Sequence, residues 1–298
     1  MSTPRVSFVM CVRNAARHLR EQLDSMFAQT FGDFEVVLFD DGSTDATRKI
    51  TASYTDPRLR FEPRPAGNYV ERLNQALQLA RGEYIARVDG DDITDPNRLA
   101  AQVAFLDDHP GIVAVGSVMM EVDPYGVPLG LTDHATGHAK IEKRLLRGSG
   151  WAMPQPVTTL RKTAADAIGG YRPEMKWAED LDFFLRLATI GDLANLPTPL
   201  VKYRRHLASN NSTKMDEQNR LKRIILADAR RDRGMPTDDF ELEPRTDPPA
   251  EKRLENWTWN ALRNGRPDAA RKHAWNRLKM RPAELLSWKL LACAVRGS

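Results

Sequence analysis

Cysteine is scarce in this chain: Cys11 and Cys293 lie at opposite ends of 298 residues. Neither has a metal-type spacing, and two distant thiols build no framework. Zinc and disulfide scaffolds are therefore unsupported, and both thiols read as small buried side chains. Long apolar runs are missing as well, since nothing approaches the roughly 18 consecutive apolar residues of a membrane span. The N-terminus passes from Met-Ser-Thr-Pro-Arg directly into the apolar run Val6 to Val12 without a cleavage-type signal, so the cytoplasm is the expected location. No Gly-x-Gly-x-x-Gly follows a strand pattern, which disfavours a nicotinamide oxidoreductase.

With 41% apolar and 28% charged residues, the composition suits one large domain and an extension. The net charge of +4 is uneven: Glu251 to Ser298 holds 11 Lys/Arg against 4 Asp/Glu, or +7, leaving −3 for residues 1 to 250. Basic character belongs to the tail.

Short apolar runs alternate with helical patterns through the first half. "RVSFVM" (5–10), "FEVVLF" (34–39), "LRFE" (59–62), "EYIARV" (83–88) and "IVAVGSVMM" (112–120) read as strands. "ARHLREQLDSMFAQ", "DATRKITASY", "VERLNQALQLA" and "DPNRLAAQVAFLDD" between them have helical periodicity. That order predicts an α/β fold, a mostly parallel sheet covered by helices. Ligands of such sheets bind beyond the carboxyl ends of the strands, where this chain carries "CVRN", "DDGS" and "DGDD". A looser stretch from about 121 to 160 holds a helix near 138–147, "VTTLRK" reads as a strand, and a helix begins near Asp180. A further helix over 214–232 leads to the Pro- and acid-rich linker 234–251 and three short helical patterns. The expected division is a domain over 1–233, with halves of about 1–120 and 121–210, followed by a module over 234–298.

Asp89, Asp91 and Asp92 follow an apolar strand within four residues. Like charges so close repel unless a cation sits among them, and hard oxygen ligands suit Mg²⁺ or Mn²⁺. Such ions take one or two protein carboxylates and complete their shell with water and substrate phosphates, so a nucleoside diphosphate group is the expected ligand. The plain alternative is a solvated turn with a helix cap. "FDDGSTDAT" repeats the arrangement: Gly42 to Asp45 read as turn and cap, while the pair Asp40 and Asp41 is left over. "WAEDLDFFLR" places Glu179 and Asp180 at a helix start, where capping and general-base roles are both open.

Three stretches in this order, "VSFVMCVRNAARHLREQLDSMFAQTFGDFEVVLFDDGSTDAT", "LNQALQLARGEYIARVDGDDITDPNRLAAQVAFLDDHPGIVAVG" and "GGYRPEMKWAEDLDFFLRLA", resemble a family 2 glycosyltransferase of the GT-A fold over about residues 4 to 206. The resemblance implies a Rossmann-like sheet with a C-terminal helical extension, and inverting transfer from a nucleotide-diphosphate sugar to an acceptor hydroxyl. It places Val12 and Asp41 on the nucleotide base, Asp89 on the ribose side with metal, and Asp91 as the direct Mn²⁺ or Mg²⁺ ligand. Asp92 becomes a helix cap or supporting group. Asp180 becomes the catalytic base, with Glu179 as the alternative, and one essential carboxylate suffices, unlike the pair of glycoside hydrolysis. "YRRH" resembles the closing strand and loop, where His206 would reach metal or diphosphate. Arg72 falls where the nucleotide is contacted, and Trp151 and Trp177 flank the acceptor side. Two departures stand out: Arg13 occupies a position commonly Tyr and suits a phosphate, and Gln155-Pro156 replaces a common His-Pro.

The implied setting is polysaccharide or cell-envelope glycan synthesis with a saccharide or lipid-linked acceptor. A phosphatase of the haloacid-dehalogenase type needs Asp-x-Asp at the first strand, which ends here in "CVRN". The remaining alternative is an inactive nucleotide-sugar-binding or scaffold protein of the same fold. The tail holds Trp257, Trp259, Trp275 and Trp288 among its Lys and Arg. Aromatics at helical spacing usually form a core, so a bundle packed on the catalytic domain or on another copy is preferred. The second reading is peripheral contact with the inner face of an anionic membrane through 251–298. No nucleic-acid partner is implied.

Overall fold

The computed structural model describes residues 3–207, 215–237, 240–242 and 248–297. The chain divides into two compact units. The first comprises Met1–Met119, Asp133–Lys202 and Lys214–Glu243, and the second Met120–Thr132, Tyr203–Thr213 and Pro244–Ser298. The division expected from the sequence follows chain order, whereas these units do not: the residues after Met119 cluster with the C-terminal helices.

The first unit is built on β1 (Val6–Val12), β2 (Phe34–Asp41), β3 (Leu59–Arg64) and β4 (Tyr84–Val88), with α1 (Leu19–Phe27), α2 (Thr47–Thr51) and α3 (Tyr69–Leu79) as crossovers. It continues through β5 (Ile93–Thr94), α4 (Arg98–Asp108) and β6 (Ile112–Ser117). A hairpin of β7 (Met120–Val122) and β8 (Pro128–Leu131) belongs to the second unit. Back in the first unit come α5 (His138–Leu145), β9 (Thr159–Arg161), α6 (Lys162–Ala167), α7 (Glu179–Leu187), β10 (Asp192–Leu196), the start of β11 (Val201–Arg204) and α8 (Met215–Arg231).

The main sheet has the order β10-β6-β9-β4-β1-β2-β3. Its pairings are parallel except at β9, which runs antiparallel between β4 and β6. The expected mostly parallel sheet is present. Every residue of β1 is buried because successive side chains enter different layers. Val6, Phe8, Met10 and Val12 meet Leu19, Leu23 and Leu99 of α1 and α4 on one face. Val9 and Cys11 meet Val70 and Leu73 of α3 and the cluster containing Phe183 of α7 on the other. At about 1.5–3 kcal/mol per buried large apolar side chain, this double coverage makes the strand a rigid base for its carboxyl end.

Several elements differ from expectation. The run 112–120 divides into β6 and β7. "VTTLRK" contributes only Thr159–Arg161 to the sheet before Lys162 starts α6. α4 is capped at Asn97, not at Asp92, because Ile93–Thr94 forms β5 between them and pairs with Val201 and Lys202.

The second unit adds α9 (Ala250–Arg263), α10 (Pro267–Met280) and α11 (Leu285–Arg296), packed around Val127, Ala261, Ala270, Ala274 and Leu290. Small side chains let these helices approach closely. Asp123, 0% exposed, accepts the amide hydrogens of Tyr125 and Val127 and faces His273 across 2.6 Å. Among the described residues no helix is long and apolar enough to cross a membrane.

Candidate active site

In the first unit β2 and β3 lie to one side of β1 and β4 to the other, so the chain reverses its direction of progress between β1 and β4. The carboxyl ends flanking such a switch form the usual crevice for a ligand. Here they carry Val12, Arg13 and Asn14 after β1, Asp40 and Asp41 at the end of β2, and Asp89 to Asp92 after β4.

Two loops are fixed to each other first. Asn14 adopts a left-handed backbone (φ 53°), its amide donates to Ser43 Oγ, and its Oδ1 accepts from the Thr44 amide. Asp45 takes hydrogen bonds from the amides of Ala16 and Thr47. Gly42 (φ 74°) lies so close to Ala66 that a Cβ would sit 2.5 Å from its nitrogen, which is why glycine follows the acidic pair. A Cβ on Gly90 would likewise fall 2.5 Å from Val12 Cγ1, so the glycine of "DGDD" brings that loop against the end of β1.

Asp40 and Asp41 have separate partners. Buried Asp40 accepts from Arg48 Nε at 2.5 Å and the Ser43 amide at 3.1 Å. Asp41 accepts from Arg72 Nε at 3.1 Å and the Gly67 amide at 2.9 Å. Arg72 also donates to Gln75 and to the Pro65 carbonyl and is mostly buried, so it is no solvated helical arginine. Arg13 is exposed at the edge.

The three carboxylates after β4 are treated unequally. Arg87, inside β4 and 1% exposed, donates to Asp89 Oδ1 at 2.7 Å and to the Tyr69 hydroxyl. Burial alone would weaken this cation, but Tyr69 and Asp89 raise its pKa. Burial lowers the pKa of Arg98, 0% exposed, to about 9, and the charge of Asp92, 1% exposed, partly opposes that loss. Arg98 ties the region together by donating to the carbonyls of Arg87, Pro156 and Thr158. Asp92 is therefore not a solvated cap. Asp91 is half-buried at the loop.

Glu179 and Asp180 open α7, whose N-cap residue Ala178 offers no side-chain cap. Glu179 Oε2 accepts the Trp177 amide at 2.8 Å, and Asp180 Oδ1 accepts the Leu181 amide at 2.7 Å. Trp177 is held in a left-handed backbone (φ 85°), with its carbonyl taken by Gln218. Strain of this kind persists where neighbours over-determine it. Burial, then repulsion by Asp180, pushes the Glu179 carboxyl up to about 7. Burial also raises Asp180, against the pull of the Leu181 amide and Lys222, and the charge of Asp89 adds to the rise. A Cβ on Gly150 would stand 2.9 Å from Asp180 Oδ2, so the glycine leaves that oxygen its space.

The groups feel one another's fields. Arg87, Asp41, Arg72 and Asp89 all act on Cys11, whose thiol burial pushes up to about 12. Glu179 acts on Tyr69 and Tyr171, and Arg87 on Glu179. Val12, Asp41, Arg72, Asp89, Glu179 and Asp180 thus share one region of the first unit. His206 falls in the second unit, where its carbonyl accepts from Arg253.

Tyr69, Arg87, Arg98, Gly150 and Tyr171 escaped the sequence reading. Only Arg87 left a signal there, as a charge inside a fully apolar strand pattern. Among the described residues no three His, Cys, Asp or Glu side chains gather as a metal cage. Two carboxylates, as Asp89 and Asp91 offer, fit an ion that shares its shell with substrate phosphates.

Acidic residues at the switch point of a doubly covered, mostly parallel sheet mark the usual crevice for a ligand, and a Glu-Asp pair with raised pKa values acts on the same region. A model of the family described as Glycosyl transferase family 2 matches residues 7–165, and the chain belongs to that family. EpsE of Bacillus subtilis (strain 168), named as a glycosyltransferase, is 33% identical over 210 residues, covering 68% of this chain and 74% of its own. Chondroitin synthase of Pasteurella multocida (strain Pm70) is 28% identical over 228 residues, 75% of this chain and 23% of that protein. Among solved structures, S. aureus TarS 1-349 in complex with UDP-GlcNAc superposes with a TM-score of 0.62 at 20% identity, over 97% of this chain and 79% of that one. Mannosyltransferase PcManGT from Pyrobaculum calidifontis, in complex with GDP-Man and Mn²⁺, gives 0.54 at 21% identity, over 99% and 81%. The fold is accordingly GT-A-like, with added C-terminal helices.

Proposed function

We propose that this glycosyltransferase transfers a sugar with inversion from a nucleotide-diphosphate sugar to an acceptor hydroxyl, in polysaccharide or cell-envelope glycan synthesis on the cytoplasmic side. The observation that carries this reading is the Asp180 carboxylate: burial raises its pKa, Gly150 leaves its Oδ2 room, and the field of Asp89 reaches it. A carboxylate so shielded is suited to accept a proton.

Asp180 takes the hydroxyl proton as the acceptor oxygen attacks the anomeric carbon, and the bond from that carbon to the diphosphate oxygen breaks from the opposite face. Glu179 holds the Trp177 loop beside Asp180 by accepting the Trp177 amide. Val12, Asp41 and Arg72 form the base end, and Arg87 orients Asp89 toward the ribose. Arg13, exposed beside them, meets the phosphates. Asp91 and Asp89 would hold Mn²⁺ or Mg²⁺, which when bound screens the charge of the departing diphosphate. Saccharides and lipid-linked glycans are the acceptor classes, with Trp151 and Trp177 offering aromatic faces.

The test is a thermal-shift and turnover screen of UDP-, GDP- and dTDP-sugars with and without Mn²⁺. One nucleotide class should stabilise the wild type in a metal-dependent way, and Asp91→Ala should lose that effect. Asp180→Asn should retain it while turnover falls about 10²-fold or more. Stabilisation by no nucleotide under any metal condition would assign the chain to the inactive scaffold class instead.

A further inference from the structure

Helices α10 and α11 bury one side on the alanine-rich core of the second unit. Their other sides carry what a water-facing helix usually avoids. Along α11 the exposed stripe is Leu285, Trp288, Ala292 and Val295, at spacings of three and four. Leu285 is 84%, Trp288 55% and Val295 63% exposed. The only charges on this helix are Lys289 and Arg296, both exposed and both positive. On α10, Trp275 and Met280 stand exposed among Arg271, Lys272 and Lys279, and the Lys279 ammonium lies 5.6 Å over the Trp275 ring. The Trp288 indole donates to the Pro282 carbonyl at 2.9 Å, which fixes the ring beside the turn between the helices.

Single exposed apolar residues are ordinary on a protein surface. Here five of the ten large apolar side chains exposed among the described residues sit on two consecutive helices. The surrounding cations are also selective. Arg277 is neutralised by Glu284 and Arg281 by Glu251, whereas Arg271, Lys272, Lys279, Lys289 and Arg296 form no ion pair among the described residues.

We propose that this face of α10 and α11 is a peripheral docking surface for an anionic lipid bilayer. Indole rings and aliphatic chains enter the interfacial layer, and the lysines and arginines meet lipid phosphates. Charge complementarity favours lipid over a second copy of the chain. A two-fold interface would set this cationic face against itself, with no carboxylate on α11 to relieve the repulsion. Among the described residues no helix is long and apolar enough to span the bilayer, and the contact proposed here is a peripheral one. The inference is independent of the transfer reaction and extends to neither donor nor acceptor.

The full chain is sedimented with phosphatidylcholine vesicles with and without phosphatidylglycerol, at low and high salt. Partitioning should be about tenfold or more stronger on the anionic vesicles and should collapse in high salt. Leu285→Ala with Trp288→Ala should reduce binding to the level of pure phosphatidylcholine, and Lys289→Ala alone should weaken it about fivefold. All three side chains are exposed, so thermal melts should match the wild type. Ile190→Ala, an exposed apolar position in the first unit, should leave binding unchanged. Equal binding to both vesicle types, or retention of binding by the Leu285/Trp288 variant, would overturn the proposal. So would a lipid-free dimer in sedimentation velocity that Trp288→Glu dissociates, because the face would then belong to a second copy.

Discussion

Replacing Glu179 by Gln should stabilise the protein at alkaline pH, and the structure sets both the sign and the size. A carboxyl that keeps its proton to about 7 rather than its ordinary 4.5 binds that proton more tightly in the folded state than in the unfolded chain. Stability therefore falls as pH rises between about 4.5 and 7, and the full penalty is present above that window. The displacement corresponds to about 3 kcal/mol, which partial exposure of Glu179 screens to about 1–2 kcal/mol. Glutamine is neutral and of the same shape, and its carbonyl can still accept the Trp177 amide that Glu179 Oε2 now accepts. Melting curves at pH 8 should show Glu179→Gln about 2–5 °C above wild type, with the difference vanishing near pH 4.5. In the proposed reaction, turnover of the wild type should fall as pH drops and Asp180, whose pKa burial raises, takes up a proton. A Gln variant that melts below wild type at pH 8, or gains equally at both pH values, would refute the electrostatic account.

Arg98→Met should cost about 3–5 kcal/mol in urea unfolding, because it strands buried Asp92 and removes the hydrogen bonds Arg98 donates to the Arg87, Pro156 and Thr158 carbonyls. Gly150→Ala should lower kcat about tenfold or more while donor-induced stabilisation is kept, since the new methyl displaces Asp180 Oδ2 from its 2.9 Å clearance. In the second unit, Asp123→Ala should cost about 2–4 kcal/mol in thermal unfolding, because two amides and His273 lose one buried carboxylate; an unchanged melt would show that water replaces it.

The parts of the fold legible in the sequence were those whose signal is local. β1, β2 and β4 are covered on both faces and read as apolar runs, and the acidic residues after them mark the strand ends. "VTTLRK" reads as a strand and contains β9, but its extent is not legible, because the three sheet residues sit antiparallel between β4 and β6, partners far away in sequence. β10, "DLANL", was overlooked because its Asp and Asn mask a strand in which Leu193 and Ala194 are buried. The grouping of Met120–Thr132 with the C-terminal helices rests on contacts such as Asp123 with His273, 150 positions apart, and no local pattern announces them.

The carboxylates of "DGDD" show how a correct location can follow from an incomplete cause. Read from the sequence, their mutual repulsion calls for an external cation among all three. The chain supplies two of its own: Arg87 from the strand interior is paired with Asp89, and Arg98 from the first turn of α4 is set against Asp92. Both guanidinium groups are almost wholly buried, so neither would lie there without a nearby carboxylate, and buried Asp92 in turn needs the charge of Arg98. The carboxylates this loop offers an ion are the half-buried Asp91 and Asp89, which Arg87 aims. Repulsion alone therefore does not demand a metal in this loop. In the proposed reaction a metal would answer to the substrate instead, whose diphosphate would bring more negative charge to a crevice where Arg87 and Arg98 already face Asp89 and Asp92.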